Sequence, residues 1–231
     1  MRSRIYSLPL ALCVTTCLVT VSALPQTSSS KGAPPRLAAA NKELVSGQVD
    51  TTISRVYVYV GKEGLGHEHA VEGHLKSGTI KLGSGYEAGK LVFDMTSFNA
   101  DTEEARRYIG LSGQTAESTR QKVNTNMLGP DVLHVKRFPT ATFEVNSALP
   151  AKGEQSNSPT TYVLDGTFSL HTGRHPLKLQ VQAEGLNGQV HLHTSFAIRQ
   201  SMFGIKPYKA ALGAIGVADE LKIHGDLWIA K

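Results

Sequence analysis

The sequence predicts an all-β fold, an antiparallel barrel of roughly eight strands with one helical insertion. Three observations lead there. From Val45 onward the apolar residues recur at a spacing of two, as in Val56, Val58 and Val60, which is the period of a strand with one buried face. Turn-forming residues, among them Gly83, Gly85, Gly89 and the run Gly185-Leu186-Asn187-Gly188, cut the alternating stretches into strand lengths. The stretches also lack the regular intervening helices that parallel crossovers require. Closing such a sheet removes its exposed edges, which favours a barrel over the alternative two-sheet sandwich.

The chain begins with segments outside that pattern. Residues 1–23 combine basic Arg2 and Arg4, an apolar run from Leu8 to Val21 and a small-residue end, Val21-Ser22-Ala23. These are the three parts of a secretory signal peptide, so cleavage is expected after Ala23 and the mature protein is expected in the periplasm or outside the cell. Both cysteines, Cys13 and Cys17, fall in this leader. A cleaved chain would hold no disulfide and no thiolate, and an apolar core would have to stabilise it. Residues 24–44, rich in Ser, Pro, Gly and Ala, bury too little to repay ordering and read as a flexible linker, leaving 45–231 as the domain. The formal charge of +5 falls by two with Arg2 and Arg4 and is spread along the chain, so nucleic acid is not an expected partner.

Within the domain, Val56 to Val60 open the first strand, and residues 73–82 and 90–98 the next two. Asp101-Thr102-Glu103-Glu104 has capping-box spacing, which predicts a helix capped by Asp101 with Glu104 reaching back. A second helix is predicted over 115–127 and stops at Gly129-Pro130, where proline cannot continue the ladder. Alternation resumes at 140–147 with Ala141, Phe143 and Val145, and again at 162–171 with Tyr162, Leu164, Phe168 and Leu170. Residues 152–160 read as a polar loop between them. Leu177, Leu179 and Val181 then face Val190, Leu192, Phe196 and Ile198 across a predicted four-residue turn. Leu221, Ile223, Leu227 and Ile229 mark the last strand, over 221–229. The inward faces are Val, Leu, Ile and Phe, so a ligand held inside a barrel of this size is expected to be apolar.

Three stretches carry a resemblance: DVLHVKRFPTATF at 131–143, GTFSLHTGRHPL at 166–177, and the C-terminal run from SMFGIK at 201–206 through GDL at 225–227. They are similar to the YceI-like family, and the similarity extends over about Val45 to Lys231. The resemblance implies a lipocalin-like antiparallel barrel, periplasmic or extracellular, whose apolar tunnel binds a polyisoprenoid or similar amphiphilic lipid. In such a tunnel Phe93, Phe143, Phe168 and Phe196 are the expected lining, though aromatics at period two also serve as ordinary core. The loop 201–211, which also carries the candidate ligand-binding residue Tyr208, is a candidate mouth, with Met202 and Phe203 closing on a lipid chain while Lys206 and Lys209 meet a phosphate or other polar head. The same lysines read equally well as solvated surface.

The run GLGHEHAVEGH at 64–74 supplies a second candidate site. In an extended strand His67 and His69 stand on one face and Glu68 on the other. Two imidazoles can start a transition-metal site, which needs a third and usually a fourth ligand, or they can sit at the rim of a sheet bonded to backbone or water. His191 and His193 also share a face, opposite Val190 and Leu192, and are expected to point to solvent. A Gly-x-Ser-x-Gly elbow, a phosphate-binding glycine loop and a His-Glu-x-x-His helix are all missing, which argues against a conventional hydrolase. The expected role is therefore binding, with no required cofactor and an isoprenoid lipid as ligand. A metal-binding or redox-linked role for His67 and His69 is the alternative, and the sequence does not distinguish a monomer from a homodimer.

Overall fold

A computed structural model describes residues 44–152 and 159–231. The expected leader and linker lie outside the described residues except for Leu44, as do both cysteines and most of the expected loop at 152–160. The described chain runs β1 (Arg55–Gly64), β2 (His69–Ile80), β3 (Gly89–Ala100), α1 (Glu103–Ile109), α2 (Glu117–Leu128), β4 (Thr140–Pro150), β5 (Thr160–Leu170), β6 (Gly173–Leu186), β7 (Gln189–Arg199), β8 (Lys209–Ala210) and β9 (Ile215–Ala230). Each strand pairs antiparallel with its neighbour from β1 to β7, β7 pairs with β9, and β9 returns to β1. Eight strands thus close a lipocalin-like barrel, and the two-residue β8 adds a short extra pairing to the start of β9.

Alternation places the apolar set inside. Val58 lies between Val71 and Ile223, and Phe143 between Leu91 and Phe168, so facing strands present the same parity to the interior. Val56, Val58, Phe143, Leu164, Phe168, Leu179, Val181, Leu192, Ile198, Leu227 and Ile229 are all buried, as their period predicts. The β6–β7 turn is tighter than the four residues expected. Leu186 pairs with Gln189, leaving only Asn187 and Gly188 in the turn, both with positive φ (49° and 81°), the geometry that matches the twist of a hairpin.

Two strands begin earlier than their sequence pattern. β2 starts at His69 rather than Gly73, because register shifts between Glu72 and His74 and between Leu75 and Ser77 interrupt strict alternation. β9 starts at Ile215 rather than Leu221, where its first residues pair with the far end of β1 beyond a shift at Val60/Lys62.

The helical insertion follows β3, as expected, but with a different cap. Thr102, not Asp101, accepts the Ala105 amide through its hydroxyl oxygen (3.1 Å), and Glu104 accepts from the Tyr57 hydroxyl (2.9 Å) instead of reaching back. Asp101 takes positive φ (57°) and turns its carboxylate toward the start of β2, where it accepts from the Ala70 amide. α1 lies on the outer wall, where Ala105 packs with Tyr57 and Ala70 and Tyr108 stacks on Tyr57 at 3.9 Å. α2 has no buried residue and is tied to β3 by Asn124, which accepts from the Ala100 amide (2.7 Å) and donates to Asn99 (2.9 Å).

Candidate functional site

The barrel is not filled by its own side chains. It encloses a cavity of about 520 Å³, within the ~300–1,000 Å³ range of small-molecule sites. Small residues among the lining, Ala141 and Gly225, leave room between the larger Val, Leu and Phe side chains. Phe93, Phe143, Phe168 and Phe196 all line this space, and Phe93 meets Phe168 edge to face at 6.3 Å. Tyr208 lines it too, from the loop expected to form a mouth.

Ile205 and Ala210 of that loop line it as well, whereas Met202, Phe203, Lys206 and Lys209 do not. A 3-10 turn over Gln200–Phe203 breaks the period of two, so that Gln200 reaches the cavity while Met202 stands 52% exposed outside it. Phe203 is buried in the wall, edge-on to Phe168 at 5.5 Å and to His175 at 5.0 Å, so it backs the lining without joining it. Lys206 is exposed and away from the lining, and Lys209 pairs with Glu63 (3.4 Å). The polar contribution comes instead from α2, which presents Thr119, Lys122, Val123, Asn126 and Met127 to the cavity. Those residues follow helical three- and four-residue spacing within the predicted second helix, but their mixed polarity hides the stripe from a search for apolar periodicity.

His67 and His69 line the same cavity, and the Glu68 carboxylate between them accepts from the Tyr59 hydroxyl (2.5 Å). Together with Thr119 they also border a second recess of about 360 Å³, polar in character, shared with Lys62, Arg106, Ser112 and Gln114. His69 is held from behind. Its Nδ1–H donates to Asp101 Oδ2 at 2.7 Å, while Asp101 Oδ1 accepts from the Ala70 amide (3.1 Å) and from Arg106 (3.1 Å). Arg106 is fixed in turn by the carbonyls of Gly113 and Ser112.

The Asp101 side chain is 1% exposed. Burial pushes its carboxyl up, but the hydrogen bonds from His69 and the Ala70 amide outweigh that, and the group lies below the ordinary carboxylate range. An ionised Asp101 keeps the His69 proton on Nδ1 and leaves Nε2 as the ring's second polar atom for a ligand. Among the described residues, His67 and His69 do not gather with a third His, Cys, Asp or Glu at ligand distance. What this arrangement can do chemically is hold a long apolar body inside the barrel and meet a polar end with imidazole, ammonium and amide groups.

Comparison with known proteins agrees with this architecture. Solved structures that share the fold include BcnA of Burkholderia cenocepacia, at 18% identity over 79% of this chain and 99% of that one with a TM-score of 0.51, and a polyisoprenoid binding domain from Saccharophagus degradans implicated in plant cell wall breakdown, at 15% identity over 81% of this chain and 100% of that one with a TM-score of 0.56. No curated protein matches the chain. The model of the YceI-like domain matches residues 48–228, the whole of the barrel but its outermost residues, and the chain accordingly belongs to the YceI-like family.

Proposed function

We propose that the protein binds an isoprenoid-like amphiphile, with the apolar chain inside the barrel and a small polar head against His67, His69 and Lys122. The observation that carries this reading is the division within one continuous site. Strand residues such as Val58, Phe143 and Phe196 contribute an apolar interior, and the β1–β2 connection and α2 contribute its polar groups. Burying a long hydrocarbon in such a space removes its surface from water at roughly 25 cal/mol per Å², so the tail supplies affinity and the polar groups select the head. The isoprenoid class is favoured because a domain of the same fold, from Saccharophagus degradans, is described as polyisoprenoid binding.

On this reading the protein is a carrier or scavenger, not an enzyme, and works outside the cytoplasm after its leader is removed. The test is mass spectrometry of protein purified from its own host without added detergent, run natively and again after denaturation. The reading predicts a bound lipid that leaves on denaturation and fragments as an isoprenoid. Protein that is empty in both runs, and that takes up no polyprenyl lipid on later incubation, would overturn it.

A further inference from the structure

A second group of histidines lies on the outer wall of the barrel, away from the tunnel. His191 and His193 share the outer face of β7, and register with β9 sets them opposite Trp228 and Asp226. His191 stacks on Trp228 with ring centroids 3.9 Å apart and planes 13° from parallel, which fixes the orientation of its imidazole. Its Nε2–H donates to Asp226 Oδ1 at 2.7 Å, and its Nδ1 lies 3.0 Å from His193 Nε2. Ligand atoms from His191, His193 and Asp226 all fall within 4.8 Å of one another.

From this geometry we infer that His191 and His193 form a binding site for a divalent transition metal of the copper, nickel or zinc type, with Asp226 as the carboxylate that holds His191 in position. The tautomers lead there. An ionised carboxylate can only accept, so the His191 proton sits on Nε2 and its Nδ1 carries a lone pair aimed at His193. In the metal-free protein His193 satisfies that lone pair with its own Nε2–H. When His193 shifts its proton to Nδ1, two imidazole nitrogens with lone pairs lie side by side and no net proton needs to leave. Metal–imidazole bonds of ~2.1 Å place adjacent tetrahedral ligands ~3.4 Å apart, so the 3.0 Å pair opens by a few tenths of an ångström and the His193 ring turns to bring its lone pair onto the ion.

Asp226, His191 and the ion then form the carboxylate–histidine–metal arrangement in which the outer carboxylate orients the ring and raises its basicity. Glu184 and Gln182 stand opposite His191 and His193 on β6 and, with water, offer oxygen for the remaining positions. The ligand set, imidazole nitrogen with carboxylate behind it and no thiolate, selects borderline divalent ions, with copper(II) bound most tightly.

The site carries its own reporter, because Trp228 is the chain's single tryptophan and touches His191. The test is titration of the full, lipid-loaded or lipid-free chain with copper(II), following tryptophan fluorescence, with zinc(II) binding measured by calorimetry on the same samples. The site predicts saturable quenching at one equivalent. His193→Gln keeps a donor toward His191 but removes the ligand, and should abolish saturable quenching while the melting curve stays that of the parent. Asp226→Asn should weaken binding by ~10–100-fold without removing it. His67→Ala with His69→Ala should leave the Trp228 titration unchanged, which separates this site from the tunnel and from the lipid reading. Quenching that is linear and collisional, or a His193→Gln protein that titrates like the parent, would overturn the inference.

Discussion

The chain contains two His-x-His pairs, one where the β1–β2 connection enters β2 and one within β7, and the barrel uses them in opposite ways. His67 and His69 face inward at the polar end of the tunnel, while His191 and His193 face outward on the wall. In each pair one ring donates to an aspartate at 2.7 Å, His69 to Asp101 and His191 to Asp226. The two aspartates differ in their surroundings. Asp101 is 1% exposed and also accepts from Arg106 and a backbone amide, whereas the Asp226 side chain is 21% exposed and serves one histidine. In the inner pair His69 thus belongs to a buried charge network with a face toward the cavity, and the outer pair is a hydrogen-bonded relay of rings on the wall. The same local motif takes its chemistry from the strand or helix that the register places across it.

That difference is sharpest under removal of the carboxylate charge. Asp101→Asn leaves Arg106 without its buried counter-ion and should cost ~3–5 kcal/mol, read as a lower urea midpoint at unchanged slope. Asp226→Asn keeps an amide oxygen at the more exposed site and should cost only ~1 kcal/mol. Similar losses from both variants would break the comparison.

Acid tests the Asp101 network from its protonation side. Because the folded-state pKa of Asp101 is depressed below 3.8, its contribution is complete above that unfolded value and is lost as pH falls through the folded one. Parent stability should therefore drop below about pH 4 by more than that of Asp101→Asn, which has no such group to protonate. Equal acid sensitivity in the two proteins would remove Asp101 from its place in the network.

Filling the tunnel tests the inner site apart from its charges. Ala141 faces the cavity beside Phe93, and Ala141→Phe would project a ring into the space proposed for a lipid chain. Lipid affinity should fall by at least ~10-fold, while an inserted side chain that finds open volume should shift stability by no more than ~1–3 kcal/mol. Metal titration at Trp228 should be unaffected, since the outer pair shares no lining residue with the cavity.

The barrel was legible from the sequence because its signal is repeated. Each strand from β4 to β7 shows the period of two over a length that few other structures tolerate, and the closing pairing of β1 with β9 follows from the need to cover edges. The cavity lining was legible where it repeats that period, at Phe93, Phe143, Phe168 and Phe196, and also at His67, His69 and the loop residue Tyr208. Met202, Phe203 and Lys206 were placed at a mouth by loop composition, which carries no direction: the 3-10 turn over Gln200–Phe203 turns Met202 outward and buries Phe203 in the wall, and Lys206 beyond it is exposed away from the lining. Lys122 was missed since α2 presents a polar stripe to an apolar cavity, which no hydrophobic pattern announces. Asp101 read as a helix cap, one residue early, although its carboxylate serves a histidine 32 positions away. His191 and His193 read as solvent-facing because Asp226 and Trp228 reach them only through the β7–β9 register, a long-range pairing that no local spacing encodes.

The smallest expected effect separates the two members of the inner pair. His67 is exposed and has no role in the Asp101 network, so His67→Ala should stay within ~0.5 kcal/mol of the parent in stability. His69→Ala removes one of the hydrogen bonds to a buried carboxylate and should cost ~1–3 kcal/mol. Both border the polar recess, so both should weaken binding of an amphiphile with a polar head, while binding of a pure hydrocarbon of the same length should be unchanged. A fall in affinity for the headed lipid alone, in His67→Ala with its stability intact, would assign the effect to contact with the head. Equal loss for both ligands would mean that His67 shapes the entrance and reads no head group.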